Sequence, residues 1–248
     1  MIHIEHQSLR GMTFIDLFAG LGGFRLALES LGAHCVYSNE WDKHALEVYA
    51  KNFGEAMGED IRKVDEQSIP DHDILCAGFP CQAFSISGKK LGFEDSRGTL
   101  FFDVARIVRA KRPKVVFMEN VKNFASHDKG RTQAVVRATM EELGYSYHAH
   151  VLNAADYGVP PRRERIYMVC FRSDISSFVF HFPQPIRLKK HVEDILLHDE
   201  KEVERLYISR EDTYMLWHKD DAYRNRPVRL GVVNKGGQGE RIYSARGI

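Results

Sequence analysis

The sequence predicts an α/β fold with a doubly wound, mostly parallel sheet. Short apolar runs of strand length alternate with longer amphipathic stretches of helix length between residues 13 and 171. A glycine-rich turn follows the first apolar run directly, and polar residues follow several of the others. Strands that alternate with helices in this way form a parallel sheet with helices on both faces.

Each predicted element has its own local signal. The strands are predicted from apolar runs at residues 13–18, 34–38, 73–77, 114–118, 145–152 and 165–171. The helices are predicted at residues 22–30, 42–52, 99–110 and 132–143. Asp42 is expected to cap the second helix, and Gly32 and Gly144 to end the first and the fourth.

The character of the sequence changes after about residue 172. Pro183 and Pro185 interrupt the alternation, and charged helical and mixed segments are expected up to residue 226. The final stretch, residues 228–248, is rich in glycine, arginine and lysine. We therefore expect one domain at residues 1–182 and a second, smaller region at residues 183–248.

Composition excludes several classes of protein. The formal net charge is +1, so the chain as a whole has no strongly basic footprint. Its four cysteines, at positions 35, 76, 81 and 170, form no CxxC pair, which argues against a disulfide framework and a zinc site. No apolar run reaches membrane-spanning length, and no signal-peptide pattern occurs at the N-terminus. We expect an intracellular protein with no metal and no membrane contact.

A thiol and a carboxylate follow two neighbouring strands. The sequence Gly-Phe-Pro-Cys-Gln at residues 78–82 places Cys81 in a glycine-containing loop just after the third strand. Glu119 ends the apolar run of the fourth strand. Open α/β sheets bind ligands at the carboxyl ends of their strands, so a nucleophile and an acid there predict covalent catalysis. Taken singly, each residue could instead be a loop thiol or a solvated strand end.

A cofactor turn is predicted at residues 16–24, where Gly20, Gly22 and Gly23 separate a strand from a helix. Glu40 follows about twenty residues after the turn, as expected of an acid that binds ribose hydroxyls. Trp41 offers an aromatic face for adenine, and residues 60–61, Asp-Ile, offer an acceptor and an apolar contact. A nicotinamide dinucleotide would suit this pattern too, but arginine stands where the third glycine of that fingerprint would be.

Two further segments carry polar groups suited to phosphate or to a base. The long loop at residues 83–98 is punctuated by glycine and has the length of a functional lid. Residues 157–165 place three arginines before the sixth strand, and their guanidinium groups suit a carboxylate, a base carbonyl or a phosphate. Either segment could also be a simple connection or a surface charge run.

Together these motifs resemble the DNA cytosine-5 methyltransferases over nearly the whole chain. The matching motifs are the turn at residues 16–24, Glu40, Pro80-Cys81, Glu119-Asn120-Val121, and the arginines Arg163 and Arg165. Pro161 departs from the pattern, because the family usually has glutamine there. The resemblance extends to small bacterial restriction-modification enzymes, whose glycine-rich recognition segment looks like residues 235–241.

The resemblance implies a cofactor, a substrate and a set of site residues. It implies S-adenosylmethionine, held by Phe18, Ala19, Gly20, Gly22, Gly23, Glu40, Trp41, Asp60, Ile61, Pro80 and Leu100. It implies double-stranded DNA, contacted by Ser85, Ser87, Lys89, Arg97, Gln238 and Arg241. Catalysis would use Cys81 as the nucleophile and Glu119, Arg163 and Arg165 around a flipped cytosine. We expect such an enzyme in the bacterial cytoplasm.

One family motif is missing from the sequence. Members of the family continue with more of the target-recognition domain and a closing Gly-Asn motif, yet no Gly-Asn dipeptide occurs here. In this respect the chain resembles the larger subunit of split members of the family. The resemblance therefore predicts that residues 183–248 form a partial target-recognition region, completed by a second, smaller polypeptide in a heterodimer.

Three other functions stay open at this point. A nicotinamide- or flavin-linked oxidoreductase could use the glycine turn and Cys81, although Arg25 and the arginine motif count against it. A non-catalytic DNA-binding fragment is a second alternative. Enzymes that methylate transfer RNA share the motifs, but the segment at residues 235–241 favours DNA. The recognised DNA site does not follow from the sequence.

Overall fold

The computed structural model describes residues 8–54, 58–80, 100–159, 161–175, 179–186, 194, 213–215, 229–234 and 241–243. These residues fall into two compact units. One lies within Met1–Val151 and Arg165–Phe182, and the other within Leu152–Glu164 and Pro183–Ile248. The assignment of catalytic and recognition domains to residues 1–182 and 183–248 stays a prediction.

A six-stranded sheet forms the centre of the first unit. Its strands are β1 (Thr13–Leu17), β2 (His34–Asn39), β3 (Ile74–Ala77), β4 (Val115–Val121), β5 (Tyr145–Asn153) and β6 (Glu164–Arg172). Their order in the sheet is β2-β1-β3-β4-β6-β5. β1 pairs in parallel with β2 and β3, and β3 with β4, whereas β6 runs antiparallel to β4. The predicted doubly wound, mostly parallel sheet is therefore confirmed.

Four helices connect the strands. They are α1 (Gly23–Ser30), α2 (Lys43–Phe53), α3 (Leu100–Lys111) and α4 (Arg131–Glu142). The predicted cap of α2 is confirmed, because the Asp42 carboxylate accepts hydrogen bonds from the backbone N–H groups of His44 and Ala45, at 3.0 and 2.9 Å. Gly54 ends the same helix with a left-handed φ of 80°. None of these helices is long and apolar enough to cross a membrane.

Apolar side chains cover both faces of the sheet. β3 is buried along its whole length, and its residues alternate between two clusters. Ile74 and Cys76 pack in a cluster with Leu28 of α1, whereas Leu75 and Ala77 pack in a larger cluster with residues of α3. Successive side chains of a strand point to opposite faces of the sheet. Because β3 contributes to one apolar cluster on each face, helices must cover both faces.

The fourth strand is longer than the sequence predicted. We expected it to end at Glu119, but β4 continues to Val121. The reason is the antiparallel partner β6, which pairs with β4 residue by residue as far as Val121 opposite Arg165. Glu119 therefore projects from within a paired strand, and its backbone is held by that ladder.

The second unit contains a three-stranded antiparallel sheet that the sequence did not predict. Its strands are β7 (Thr213–Met215), β8 (Arg229–Val233) and β9 (Arg241–Tyr243), in the order β7-β8-β9. β7 lies in a stretch where charged helical and mixed segments were expected. Strands of three residues are too short to show the alternation by which a strand is recognised in a sequence.

Candidate active site

The predicted cofactor turn follows β1 at the carboxyl edge of the sheet. The backbone at Phe18, Gly20 and Gly22 has positive φ values of 56°, 56° and 87°. A β-carbon on Gly22 would lie 2.1 Å from Cε2 of Phe53, so both the conformation and the space require glycine there. Ala19 is buried, and its N–H donates to the Asn39 carbonyl at the end of β2, at 3.0 Å. The turn is thereby fixed against the neighbouring strand.

Glu40 joins this turn to the start of α2. Its Oε2 accepts a hydrogen bond from the Gly20 N–H at 2.8 Å, and its Oε1 accepts one from the Asp42 N–H at 2.7 Å. A carboxylate oxygen has two acceptor sites, so each oxygen keeps one that a ribose hydroxyl could use. The two backbone bonds hold the carboxylate in place beside the turn. Glu40 therefore fits the position expected of a ribose-binding acid.

Trp41 and Asp60, two of the three residues predicted to bind adenine, are both in contact with Arg62. Trp41 is 58% exposed, and Cζ of Arg62 lies 5.2 Å from the centre of a Trp41 ring. The Arg62 guanidinium also pairs with the Asp60 carboxylate, with Nη2 and Oδ2 2.7 Å apart. Ile61, between them in the sequence, is buried in the core. An aromatic face and a carboxylate thus lie close enough to act on one planar base, as the adenine of S-adenosylmethionine requires.

Arg106 of α3 holds the segment at residues 61–66 in place. Its Nη2 donates to the Ile61 carbonyl at 2.5 Å, and its Nη1 pairs with Glu66 at 2.6 Å. Its Nε pairs with Asp103 one turn earlier at 3.1 Å. This role of Arg106 was not predicted, because only its contact with Asp103 is local in the sequence. Leu100, a predicted cofactor contact, is the half-buried first residue of this helix.

Glu119 and Arg165 form an ion pair across β4 and β6. Nε of Arg165 lies 2.9 Å from Oε1 of Glu119, and the two side chains are 21% and 24% exposed. The position that a β-carbon would take on Gly78 lies 3.8 Å from Oε2 of Glu119 and 3.8 Å from the Phe18 carbonyl oxygen. The predicted catalytic carboxylate and the predicted cofactor turn therefore both lie next to Gly78, the residue that follows β3.

Asn120 fixes the backbone that leads to the predicted nucleophile. Its buried amide donates from Nδ2 to the Phe79 carbonyl at 2.8 Å, and its Oδ1 accepts from the Val121 N–H at 2.9 Å. The Phe79 ring is itself buried, 5.7 Å from the ring centres of both Phe101 and Phe124. The residue just before the exposed Pro80 is thus held by a hydrogen bond and by aromatic packing. Asn120 belongs to the Glu-Asn-Val motif at residues 119–121, but no role was predicted for it.

Burial keeps several groups near the turn uncharged. Asp16 is fully buried on β1, neither of its carboxylate oxygens makes a hydrogen bond of good geometry, and desolvation raises its pKa to about 8. The Arg25 backbone and charge lower this pKa in part. Burial likewise raises the pKa of the Cys35 thiol to about 11 and raises that of Cys76. Both thiols therefore stay protonated and unreactive at neutral pH, as expected of structural cysteines.

The remaining predicted residues have no described contact with the groups above. Cys81, Ser85, Ser87, Lys89, Arg97 and Gln238 are outside the described residues. Arg241 is the first residue of β9. Arg163 belongs to the second unit, where its N–H donates to Oδ1 of Asn153 at 3.0 Å. Within the part of the chain that the structure describes, no three His, Cys, Asp or Glu side chains cluster as metal ligands would.

The fold is that of a class of protein, the S-adenosylmethionine-dependent methyltransferases. Solved structures of the same fold include a DNMT2 mutant of Spodoptera frugiperda, with a TM-score of 0.63, 24% identity, and coverage of 76% of this chain and 60% of that one. Dnmt2 methyltransferase of S. pombe has a TM-score of 0.61 at 20% identity, with 76% and 61% covered. At such identities the likeness concerns the fold alone.

Sequence comparison identifies the family. Residues 12–229 match the C-5 cytosine-specific DNA methylases, and the chain belongs to this family. It is 67% identical to the type II methyltransferase M.HhaI of Haemophilus parahaemolyticus over 248 residues, which is 100% of this chain and 76% of that protein. It is 44% identical to M.DsaV of Dactylococcopsis salina, with 95% and 67% covered. It is 51% identical to M.NgoBI of Neisseria gonorrhoeae, with 78% and 60% covered. C-5 DNA methyltransferases take their methyl group from S-adenosylmethionine, the cofactor expected from the sequence.

Proposed function

We propose that this chain transfers a methyl group from S-adenosylmethionine to carbon 5 of a cytosine in duplex DNA, as part of a restriction-modification system. The observation that carries the proposal is the Glu119–Arg165 ion pair, with Nε and Oε1 2.9 Å apart, whose carboxylate lies beside Gly78 and close to the Phe18 carbonyl. An acceptor and a donor are thereby fixed together next to the cofactor turn, as recognition of one cytosine edge requires. Family membership supports the reaction type.

Cys81 is the proposed nucleophile. Its thiolate adds to carbon 6 of cytosine, and the electron pair of the 5,6 double bond makes carbon 5 nucleophilic. Bound S-adenosylmethionine supplies an electrophilic methyl group for carbon 5. Transfer would break the bond from the methyl group to the sulfonium sulfur and leave S-adenosylhomocysteine. A water molecule then takes the proton from carbon 5, the electron pair left behind restores the double bond, and the bond between Sγ and carbon 6 breaks to release the thiolate. The Asn120 bond to the Phe79 carbonyl supports this step, because it fixes the backbone two residues before Cys81.

Glu119 and Arg165 are proposed to hold the base during attack. Glu119 accepts a hydrogen bond from the exocyclic amine and shares a proton with the ring N3, which is itself an acceptor, and Arg165 donates to the base carbonyl oxygen. Charge that develops on the ring is offset by groups that are already oriented, so little reorganisation is needed in the transition state. Arg163 is proposed to support this site, on the strength of the family motif alone.

The proposed substrate is a cytosine turned out of the duplex. A thiol cannot reach carbon 6 inside a base stack, so the base must flip into the site. The proposed DNA contacts are Ser85, Ser87, Lys89, Arg97, Gln238 and Arg241, in the loop at residues 83–98 and in the glycine-rich segment near β9. These polar and basic side chains suit phosphate and base edges. We place the enzyme in the bacterial cytoplasm.

The proposed cofactor site uses the geometry of the turn. Glu40 keeps acceptor capacity for ribose hydroxyls, Trp41 offers its exposed face and Asp60 its carboxylate. Phe18, Ala19, Gly20, Gly22 and Gly23 shape the turn, and Pro80 and Leu100 are proposed as further contacts. These residues bind and orient the cofactor, whereas Cys81 and Glu119 act on the base.

A second, smaller polypeptide is proposed to complete the enzyme as a heterodimer. The support is the resemblance to split members of the family and the lack of a Gly-Asn motif in the sequence. The chain covers 76% of M.HhaI, and the polypeptide for the test is taken from the rest of that protein. The test compares DNA methylation by the purified chain alone with methylation after addition of a polypeptide that corresponds to the uncovered quarter of M.HhaI. Equal activity in both samples would contradict the heterodimer.

The function is tested by measuring 5-methylcytosine in DNA by mass spectrometry after incubation with S-adenosylmethionine and the reconstituted protein. Glu119→Gln should lower the rate by about 10²–10³, the effect of one lost transition-state contact. Glu29→Gln is the control, because it also neutralises a glutamate that pairs with Nε of an arginine, Arg25, at 2.8 Å, but within helix α1. Methylation of transfer RNA but not of DNA, or equal rates in Glu119→Gln and the control, would overturn the proposal.

A further inference from the structure

Arg62 lies against both residues that the proposed function assigns to adenine. Its guanidinium pairs with the Asp60 carboxylate and lies over a Trp41 ring at 5.2 Å. We propose that Arg62 competes with the cofactor's adenine for Asp60 and Trp41, and so sets the affinity of the protein for S-adenosylmethionine. This inference rests on the proposed function. Arg62 itself lies outside the motifs that the chain shares with the family.

The Asp60 carboxylate has no acceptor site left for adenine while Arg62 is bound. Oδ1 accepts from the Arg62 backbone N–H at 3.1 Å and from its Nε at 2.9 Å. Oδ2 accepts from Nε at 3.1 Å and from Nη2 at 2.7 Å. A carboxylate can accept about four hydrogen bonds, and Asp60 makes four such contacts with Arg62 alone. An adenine amine can therefore bind Asp60 only after the guanidinium has moved away.

The same movement clears Trp41. A guanidinium 5.2 Å from the ring centre occupies one face of the indole, which is the surface on which adenine would stack. The Asp60 side chain is 11% exposed, whereas that of Arg62 is 56% exposed. The guanidinium can thus turn into water without disturbing the core, while the backbone bond from Arg62 to Oδ1 keeps Asp60 in place.

The competition should be modest and sensitive to salt. Exposed ion pairs contribute little in water, so removing the guanidinium should tighten cofactor binding by about 2- to 5-fold. Salt weakens the pair further, since the screening length falls to about 3 Å in about 1 M salt. A lysine at this position is a point charge without the two-pronged geometry, so it should compete less well than arginine.

The test is titration calorimetry of the reconstituted protein with S-adenosylhomocysteine, which lacks the transferable methyl group. Arg62→Ala should bind about 2- to 5-fold more tightly than the unaltered protein at low salt, with the gap closing in about 1 M salt. Arg62→Lys should fall between them. Arg172→Ala is the matched control, because Nε of Arg172 pairs with Asp174, also two residues away, at 2.7 Å. Its N–H bonds to the Lys114 carbonyl just before β4, at the opposite edge of the sheet from the site.

The outcomes separate this inference from the proposed function. Tighter binding in Arg62→Ala alone supports the competition. Unchanged or weaker binding in that variant, or an equal gain in Arg172→Ala, overturns the role of Arg62 and leaves the methyltransferase proposal intact. Failure of both the unaltered protein and Arg62→Ala to bind S-adenosylhomocysteine would overturn both.

Discussion

Replacing Asn120 with alanine should separate positioning of the nucleophile loop from general stability. Asn120 is 2% exposed, and its amide makes the 2.8 Å bond to the Phe79 carbonyl two residues before Cys81. A buried carbonyl that loses its partner costs about 1–3 kcal/mol. In a protein of this size each kcal/mol lowers the melting temperature by about 2–4 °C. We expect Asn120→Ala to fold, but to melt at a lower temperature.

The effect of Asn120→Ala on catalysis should exceed its effect on stability. A nucleophile displaced by about 1 Å can lose about 10²-fold in rate. The turnover number should fall by about that factor, while the affinity for S-adenosylhomocysteine stays near normal, because Glu40 and the turn are untouched. The assays are thermal melting, steady-state methylation of DNA and calorimetry on the reconstituted protein.

Tyr145→Phe is the control for Asn120→Ala. The buried Tyr145 hydroxyl donates to the Pro113 carbonyl at 2.7 Å, just before the other end of β4. Its removal also costs one buried hydrogen bond to a carbonyl, but at the edge of the sheet away from the site. We expect a comparable loss of stability with a normal turnover number. If the two variants lose turnover to the same extent, the positioning role of Asn120 is wrong.

Three further predictions concern the turn and its surroundings. Gly22→Ala should fold poorly or bind S-adenosylhomocysteine weakly, because its β-carbon would lie 2.1 Å from the Phe53 ring. Thermal melting and calorimetry measure these two effects, and a normal melting temperature with normal affinity would contradict the predicted clash. Because burial raises the pKa of Asp16 from 3.8 to about 8, the folded state holds a proton that the unfolded state lacks between these values, and stability should fall as the pH rises through this range. Urea unfolding at about pH 6 and about pH 8 should show a smaller pH dependence in Asp16→Asn, and an equal dependence would show that another group is responsible. Trp41→Ala should weaken binding of S-adenosylhomocysteine by calorimetry, and unchanged affinity would place the adenine elsewhere.

Local signals in the sequence were enough to predict the strands of the sheet and the glycine turn after β1. Apolar runs located six strands, and Asp42 marked the start of α2 because a capping carboxylate acts on N–H groups two and three residues away. Glu40 was predicted from its distance to the glycine turn, and its carboxylate does bond to the Gly20 N–H. Each of these features depends on residues that are close in sequence or related by a fixed spacing.

Long-range contacts could not be predicted in the same way. β6 enters the sheet between β4 and β5, and only this strand order brings Arg165 to Glu119. The bond from Arg106 to the Ile61 carbonyl spans 45 residues, and that from Asn120 to the Phe79 carbonyl spans 41. No periodicity or turn signal encodes such pairs, because they arise when separate elements pack. The Arg62 contacts were missed for a simpler reason: an exposed arginine after a motif usually belongs to a solvated surface.

The central claim is that Cys81 attacks a cytosine held beside Glu119, and covalent trapping tests it most directly. DNA that carries 5-fluorocytosine cannot lose fluorine from carbon 5 as it would a proton, so the bond from Sγ to carbon 6 should persist. We predict that the reconstituted protein with S-adenosylmethionine forms an adduct stable to denaturing gel electrophoresis, and that peptide mapping places it on Cys81. An adduct that survives in Cys81→Ala, or that maps to another residue, would contradict the account.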